Sequence, residues 1–134
     1  EDSDDAAPNI RPTNFAGNQL PWSPKWSVTV TGENNWYFDN GLRLSPVATV
    51  HWQDEIFFQD NNYDEGPFHS GQKAYATVNL SLRLINEAKR WGVELYVYNL
   101  TDERIRYWGD YGPGYIKSSF APPRAYGVKV RYDF

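Results

Sequence analysis

Counting back from Phe134, a large apolar side chain falls on every second position: Tyr132, Val130, Val128 and Tyr126. Between them lie Asp133, Arg131, Lys129, Gly127 and Ala125. A period of two gathers the apolar groups on one face of a β-strand and the polar or small ones on the other. Four upstream segments keep the same rhythm. The first runs from about Lys25 to Phe38, with Trp26, Val28, Val30, Trp36 and Phe38 in phase. The second runs from about Leu42 to Phe58 and alternates Leu44, Pro46, Ala48, Val50 and Trp52 with Arg43, Ser45, Thr49, His51 and Gln53. Pro46 has no N–H to give to a ladder, which weakens the pattern locally. The third, about Ala74 to Ile85, alternates Ala76, Val78, Leu80, Leu82 and Leu84 with Thr77, Asn79, Ser81 and Arg83. The fourth, about Arg90 to Tyr107, carries Trp91, Val93, Leu95 and Val97 on one face and Gly92, Glu94, Tyr96 and Tyr98 on the other. Its alternation breaks at Asn99-Leu100-Thr101-Asp102, a pattern that predicts a bulge or bend.

The connections sharpen this reading. Asp39-Asn40-Gly41 predicts a tight hairpin, with positive φ at the Asn-Gly pair. Asn86 to Lys89 is a second short turn. By contrast, Gln59 to Lys73 and Gly109 to about Ser119 are long and polar or rich in Gly, Tyr and Pro. Short and long connections alternate, so antiparallel neighbours place every short turn at one end and every long loop at the other. An outer-membrane barrel has that layout. The apolar faces are about 9–11 residues long, enough for a tilted strand to cross a bilayer. Trp26, Trp36, Trp52, Trp91 and Tyr126 fall near strand ends, where interfacial aromatics concentrate. Residues 1–24, acidic and then rich in Pro and Asn, predict an irregular loop segment. If the long loops face outward, this segment is extracellular, residues 25–134 are the C-terminal strands of the barrel, and Phe134 ends in the periplasm.

Composition is consistent with this picture. Aromatics make up 17% of the 134 residues, and the hydrophobic share is only 40%. Large amphipathic groups therefore do the apolar work. The net charge of −4 and the lack of a basic stripe argue against nucleic acid as a partner. The chain has no cysteine, hence no disulfide and no thiolate metal site. No apolar run reaches the roughly 18 residues of a membrane helix. The chain has no Met and opens on EDSDDAAPN, with no signal peptide, so a fragment or processed product is expected.

Three pieces carry a family resemblance. Trp91-Gly-Val-Glu-Leu-Tyr-Val-Tyr-Asn-Leu-Thr-Asp-Glu103 resembles the penultimate strand of a TonB-dependent outer-membrane receptor with its Asn-Leu-x-Asp box. Ala121-Pro-Pro-Arg-Ala-Tyr-Gly-Val-Lys-Val-Arg-Tyr-Asp-Phe134 is similar to the final strand of that family. Gly17-Asn-Gln-Leu-Pro-Trp-Ser-Pro-Lys-Trp26 is similar to the entry of an upstream strand. Their order and spacing extend the resemblance over about residues 17 to 134. It implies an all-β, antiparallel, up-and-down transmembrane barrel of about 22 strands, of which this chain supplies about five. It also implies a plug domain and a TonB box in an N-terminal segment absent here. The expected location is the outer membrane of a Gram-negative bacterium. The expected partners are membrane lipid, the rest of the barrel and the plug, TonB, and the outer-membrane assembly machinery. That machinery reads a C-terminal aromatic signal, which Tyr126, Val128, Val130, Tyr132 and Phe134 match.

Candidate chemistry is sparse. His51 sits on a polar strand face and reads as a lumen residue; His69, in a long loop, reads as solvated. Asp54, Glu55, Asp60, Asp64 and Glu65 read as a solvated loop, because the order of ligands in a calcium loop is missing. Ser118-Ser119 has neither elbow nor base. No catalytic, metal or cofactor site is therefore expected. Tyr63, Phe68, Tyr111 and Tyr115 lie in the two long loops, and such residues stack on a sugar ring or an aromatic chelator. The expected function is TonB-coupled uptake of a scarce nutrient: a siderophore, cobalamin or an oligosaccharide. The competing reading is a soluble all-β module that binds a small ligand or carbohydrate, although a closed small barrel needs about eight strands.

Overall fold

The computed structural model describes residues 14–62, 64–65, 68–112 and 115–134. Its strands are β1 (Ser27–Glu33), β2 (Trp36–Tyr37), β3 (Leu42–Gln53), β4 (Ile56–Phe57), β5 (Asp64–Glu65), β6 (Phe68–His69), β7 (Gly71–Gln72), β8 (Tyr75–Asn86), β9 (Trp91–Tyr98), β10 (Arg106–Gly112), β11 (Tyr115–Phe120) and β12 (Ala125–Tyr132). The main sheet runs β1-β3-β8-β9-β12 in spatial order, with β2 continuing the β1 edge along β3. Every pairing is antiparallel. The fold is all-β, an up-and-down meander.

Register turns the period of two into rows across the sheet. Val30 pairs with Val50 and Val50 with Val78. Pro46, Leu82, Leu95 and Val128 form a second row, and Leu44, Leu84, Val93 and Val130 a third. The polar rows interleave: Thr31, Thr49 and Asn79; Ser45, Arg83, Glu94 and Lys129. A one-residue slip of any strand would exchange the two faces, so the pattern fixes register. On the polar face, Glu33 pairs with Arg83 at 3.1 Å and Glu94 with Lys129 at 3.6 Å. Thr31 and Thr49 bond through their hydroxyls at 3.0 Å.

The apolar face is bare. Val128, Val130 and Tyr126 are 61%, 75% and 81% exposed, and Val28, Val30, Val50, Leu82 and Leu95 are exposed too. Among the described residues, only Ile56 and Phe58 are buried hydrophobic side chains, and both lie outside the main sheet. A small soluble module has to cover such a face with a second layer. No described element does so. The competing reading fits poorly for that reason.

Several details differ from the sequence pattern. The first strand is interrupted at Asn34 and Asn35, opposite Pro46 and Ser45. Asn34 N–H donates to the Pro46 carbonyl at 3.2 Å, and proline has no N–H to return the bond. The register nevertheless resumes unshifted at Trp36 and Leu44. In the first hairpin only Gly41 takes positive φ, at 78°, and Asn40 does not. Gly41 N–H donates to the Phe38 carbonyl at 3.0 Å, so the turn closes over Asp39 and Asn40, and the Gly supplies the left-handed residue after it. The second strand leaves the sheet at Gln53 and the fourth at Tyr98, both short of the predicted ends. Beyond those points the long connections fold on themselves, pairing β4 with β7, β5 with β6 and β10 with β11. The ladder between β9 and β12 stops at Tyr132, two residues before the alternation does.

A charge on the bare face is expected to be costly. In the complete barrel refolded into lipid vesicles, Leu95→Lys should lose about 2–4 kcal/mol in denaturant titration if Leu95 lies near the bilayer midplane. Thr49→Lys, on the polar face, should lose under about 1 kcal/mol. Equal losses at the two positions would refute the assignment of faces.

Candidate functional site

Two structural sites emerge, one at each boundary of the long connections. The first joins the two motifs flanking the β10–β11 hairpin. At the end of β9, Asn99 turns to a φ of 51° and Asp102 to 56°. Asn99 N–H donates to the side-chain oxygen of Asn79 at 2.8 Å. The Asn99 amide then closes the turn, accepting from Glu103 N–H at 2.9 Å and donating to the Glu103 carbonyl at 3.0 Å. Asn99 is buried and tied into the turn, which accounts for its place in the apolar phase of the sequence. Asp102 accepts from the backbone N–H of Arg124 at 2.9 Å, and the Arg124 guanidinium donates to the Leu100 carbonyl at 3.3 Å. The Asn-Leu-Thr-Asp box and the Pro-Pro-Arg segment are therefore one clamp that aims β12 along β9.

Gly127 completes it. A Cβ there would lie 2.6 Å from the Tyr96 hydroxyl and 2.8 Å from its ring carbon Cζ. The Tyr96 ring covers the glycine, with Tyr98 at 4.9 Å between centroids and the Lys129 ammonium 4.7 Å from its ring. The aromatic-Gly pair of the last strand and the Tyr-x-Tyr of the preceding one form a single packing unit.

The second site is the platform at the long-loop end. Ile56 and Phe58 are its core. Trp22 stacks on Phe58 at 4.7 Å between centroids, and Trp22 N–H donates to the Phe57 carbonyl at 2.9 Å. Gln19 donates through its amide to the carbonyls of Glu55 and Ser23. Phe58 N–H donates to the Ser70 carbonyl at 2.7 Å. Arg106 joins the two long connections: its backbone N–H donates to the Gln72 side-chain oxygen at 2.6 Å and its guanidinium to the His69 carbonyl at 3.1 Å. Gly109 packs against the Phe58 ring at a distance that leaves little room for a Cβ.

Three of the four predicted ligand-binding aromatics lie in the described parts of the two long connections. Tyr111 and Tyr115 share the β10–β11 hairpin, where Tyr111 pairs with Ile116 and Tyr115 with Gly112. The Tyr115 ring is exposed, with the Lys117 ammonium 5.2 Å from its centroid. Phe68 lies on β6, in the other long connection, paired with Glu65. Tyr63 lies outside the described residues. The hairpin thus brings two of the four together, and Phe68 belongs to a separate ladder.

His69 departs from expectation. It is not solvated: its side chain is 15% exposed, and its ring meets Phe57 at 5.5 Å between centroids. Nδ1 bonds Asp64 Oδ1 at 2.9 Å, and Nε2 faces Glu55 Oε1 at 3.5 Å. Glu55, Asp64 and His69 are brought together by the β4–β7 and β5–β6 ladders, neither of which has a periodic signal in sequence. His51 joins no such acidic group among the described residues; its ring lies 6.1 Å from that of Tyr75 and its Nδ1 bonds the Thr29 hydroxyl at 2.9 Å on the polar face of the sheet.

No protein-family model and no curated protein sequence matches the chain. Among solved structures, it is similar to the ferric yersiniabactin uptake receptor FyuA from Yersinia pestis, with a TM-score of 0.76 and 25% sequence identity. The match covers 90% of this chain and 18% of that receptor, so the chain spans under a fifth of the length of the protein it matches. The matched protein is an uptake receptor and not an enzyme.

The packing of Tyr96 over Gly127 makes a coupled prediction. Gly127→Val should destabilise the complete barrel by about 1–3 kcal/mol through overpacking. In the Tyr96→Ala background the same change should cost markedly less, read from a double-mutant cycle of denaturation midpoints. Additive effects would mean that the ring does not press on position 127.

Proposed function

We propose that this chain, a fragment of a TonB-dependent receptor barrel, forms closing strands of an outer-membrane protein that imports a scarce nutrient by TonB-coupled transport. The observation that carries the proposal is a five-strand meander with one bare apolar face, superimposable on an uptake receptor. Lipid is the solvent that such a face requires, and an antiparallel meander continued to closure satisfies the backbone in lipid. In this reading the short turns, at residues 38–41 and 87–90, lie on the periplasmic side. Residues 1–24 and the loops bearing Tyr63, Phe68, Tyr111 and Tyr115 lie outside the cell.

A ferric chelate is the leading substrate class, because the similar receptor takes up ferric yersiniabactin. The loop aromatics supply flat apolar surfaces on which the aromatic parts of such a chelator stack. Tyr126, Val128, Val130, Tyr132 and Phe134 are the stretch that the assembly machinery reads. The plug and the TonB box belong to other parts of the receptor.

The test is uptake by cells that rely on the complete receptor. Radiolabelled ferric chelate should bind at the surface with or without a proton gradient but enter only when the gradient is intact. Entry that persists after uncoupling would point to a passive pore and sink the proposal. Tyr115→Ala should weaken surface binding by about 1 kcal/mol, roughly fivefold in Kd, leaving the amount of assembled receptor unchanged. Deleting Phe134 should instead lower the heat-modifiable, protease-protected barrel, with the affinity of what remains intact.

A further inference from the structure

We infer that Glu55 and His69 form a binding site for a divalent transition cation of the Zn2+ class, with Asp64 as the residue that positions the His69 ring.

The ring is held from several sides. It meets the Phe57 ring, tilted, at 5.5 Å between centroids, and the His69 carbonyl accepts from Arg106 at 3.1 Å. Gly71 gives the ring its space: a Cβ there would lie 3.0 Å from Nε2 and 2.0 Å from the Ile56 carbonyl oxygen. Asp64, the β-ladder partner of His69, closes one edge, with Oδ1 at 2.9 Å from Nδ1.

That bond decides the tautomer. An ionised carboxylate only accepts, so Nδ1 carries the proton and donates. In the neutral ring, Nε2 then presents a lone pair. It points to Glu55 Oε1 at 3.5 Å, is shielded from solvent and has no hydrogen-bond partner among the described residues. In that tautomer two acceptors face each other, farther apart than the roughly 2.7–3.2 Å of a usual N–H···O bond, and a positive centre between them would complement both. A tetrahedral cation fits well. With metal–ligand distances of about 2.0–2.2 Å, two neighbouring ligand atoms sit about 3.3–3.5 Å apart. The arrangement of carboxylate, Nδ1–H and free Nε2 is also the one by which a carboxylate fixes a metal-binding imidazole. Imidazole with carboxylate suits Zn2+ and its neighbours better than Ca2+ or Mg2+.

Bound there, the cation would fasten the residue before β4 to β6. It would tie the root of the first long loop to the strand that carries Phe68. The site stands on side chains of this loop and is independent of which substrate the receptor takes.

The experiment uses the complete, untagged receptor in detergent, stripped with chelator and titrated with Zn2+ by calorimetry, then with Co2+ by visible absorption. Wild-type receptor should bind Zn2+ and show the intense Co2+ bands of a tetrahedral site. His69→Gln and Glu55→Gln should each weaken Zn2+ binding at least tenfold and abolish those bands. Asp64→Asn should weaken it about 10–100-fold, the usual range for a residue that orients a ligand. His51→Gln should change nothing. Heat-modifiable mobility reports whether each variant has assembled. If His69→Gln does not assemble, Glu55→Gln, an isosteric change of a partly exposed side chain, decides the question. Wild-type receptor that ignores 100 μM Zn2+, or assembled variants that titrate like wild type, would overturn the inference. Zn2+ binding at this site in a receptor that transports no ferric chelate would uphold it while sinking the transport reading.

Discussion

The constraint on which the structure depends is the parity of the strands. Each main strand offers one apolar and one polar face, and the antiparallel register keeps all five in phase. Burying a Val or Leu side chain is worth about 1.5–3 kcal/mol, so a sheet that leaves rows of them uncovered needs an apolar environment of its own. The polar face must also cohere. Its ion pairs, Glu33 with Arg83 and Glu94 with Lys129, link neighbouring strands or the next strand but one. A one-residue slip of β8, β9 or β12 would put Arg83, Glu94 or Lys129 respectively on the apolar face. Register, solvent and function are thus set by the same alternation.

The ends of the strands obey different physics. Where the sheet stops, backbone groups lose their ladder partners and side chains take over. Asn99 and Asp102 do this at the end of β9, through bonds that reach Glu103 and Arg124. Asn86 does it at the short turn, accepting from Lys89 N–H at 2.9 Å while Arg90 takes a φ of 55°. Short polar side chains tolerate or stabilise left-handed backbone, and their amides replace the missing ladder bonds. The clamp between Asp102 and Arg124 has a further effect. It fixes where β12 begins, and so which of its residues meet Val97, Leu95 and Val93.

The main sheet was legible in the sequence because its signal is redundant. Val78, Leu80, Leu82 and Leu84 repeat one instruction four times, and the partner strands repeat it again. The two short turns were legible from Asn-Gly and from the polar run after Ile85. The long connections were not. A ladder of two residues, such as β4 with β7, has no period to read, and its register depends on Gly71 letting the Ile56 carbonyl approach. The sequence pattern carries the fourth strand to Tyr107, but Arg106 and Tyr107 belong to β10, which turns away to pair with β11.

The pairing of His69 with Glu55 shows why site chemistry is harder to read than fold. The two stand 14 positions apart, and nothing in that spacing resembles a metal motif. They meet because the β4–β7 and β5–β6 ladders lie side by side, with Phe57 of β4 against the His69 ring, next to a small core of Ile56 and Phe58 over which Trp22 packs. That core lies off the main sheet, and it is the one place among the described residues where hydrophobic side chains are buried. The chain therefore uses two organising forces in sequence. Apolar–polar alternation builds the strands, and a water-excluded knot orders the connections beyond them. Chemistry requires fixed side chains shielded from water, so the knot is where a cation site can form, and exposed hairpin aromatics such as Tyr115 are suited to transient contact with a ligand from solution.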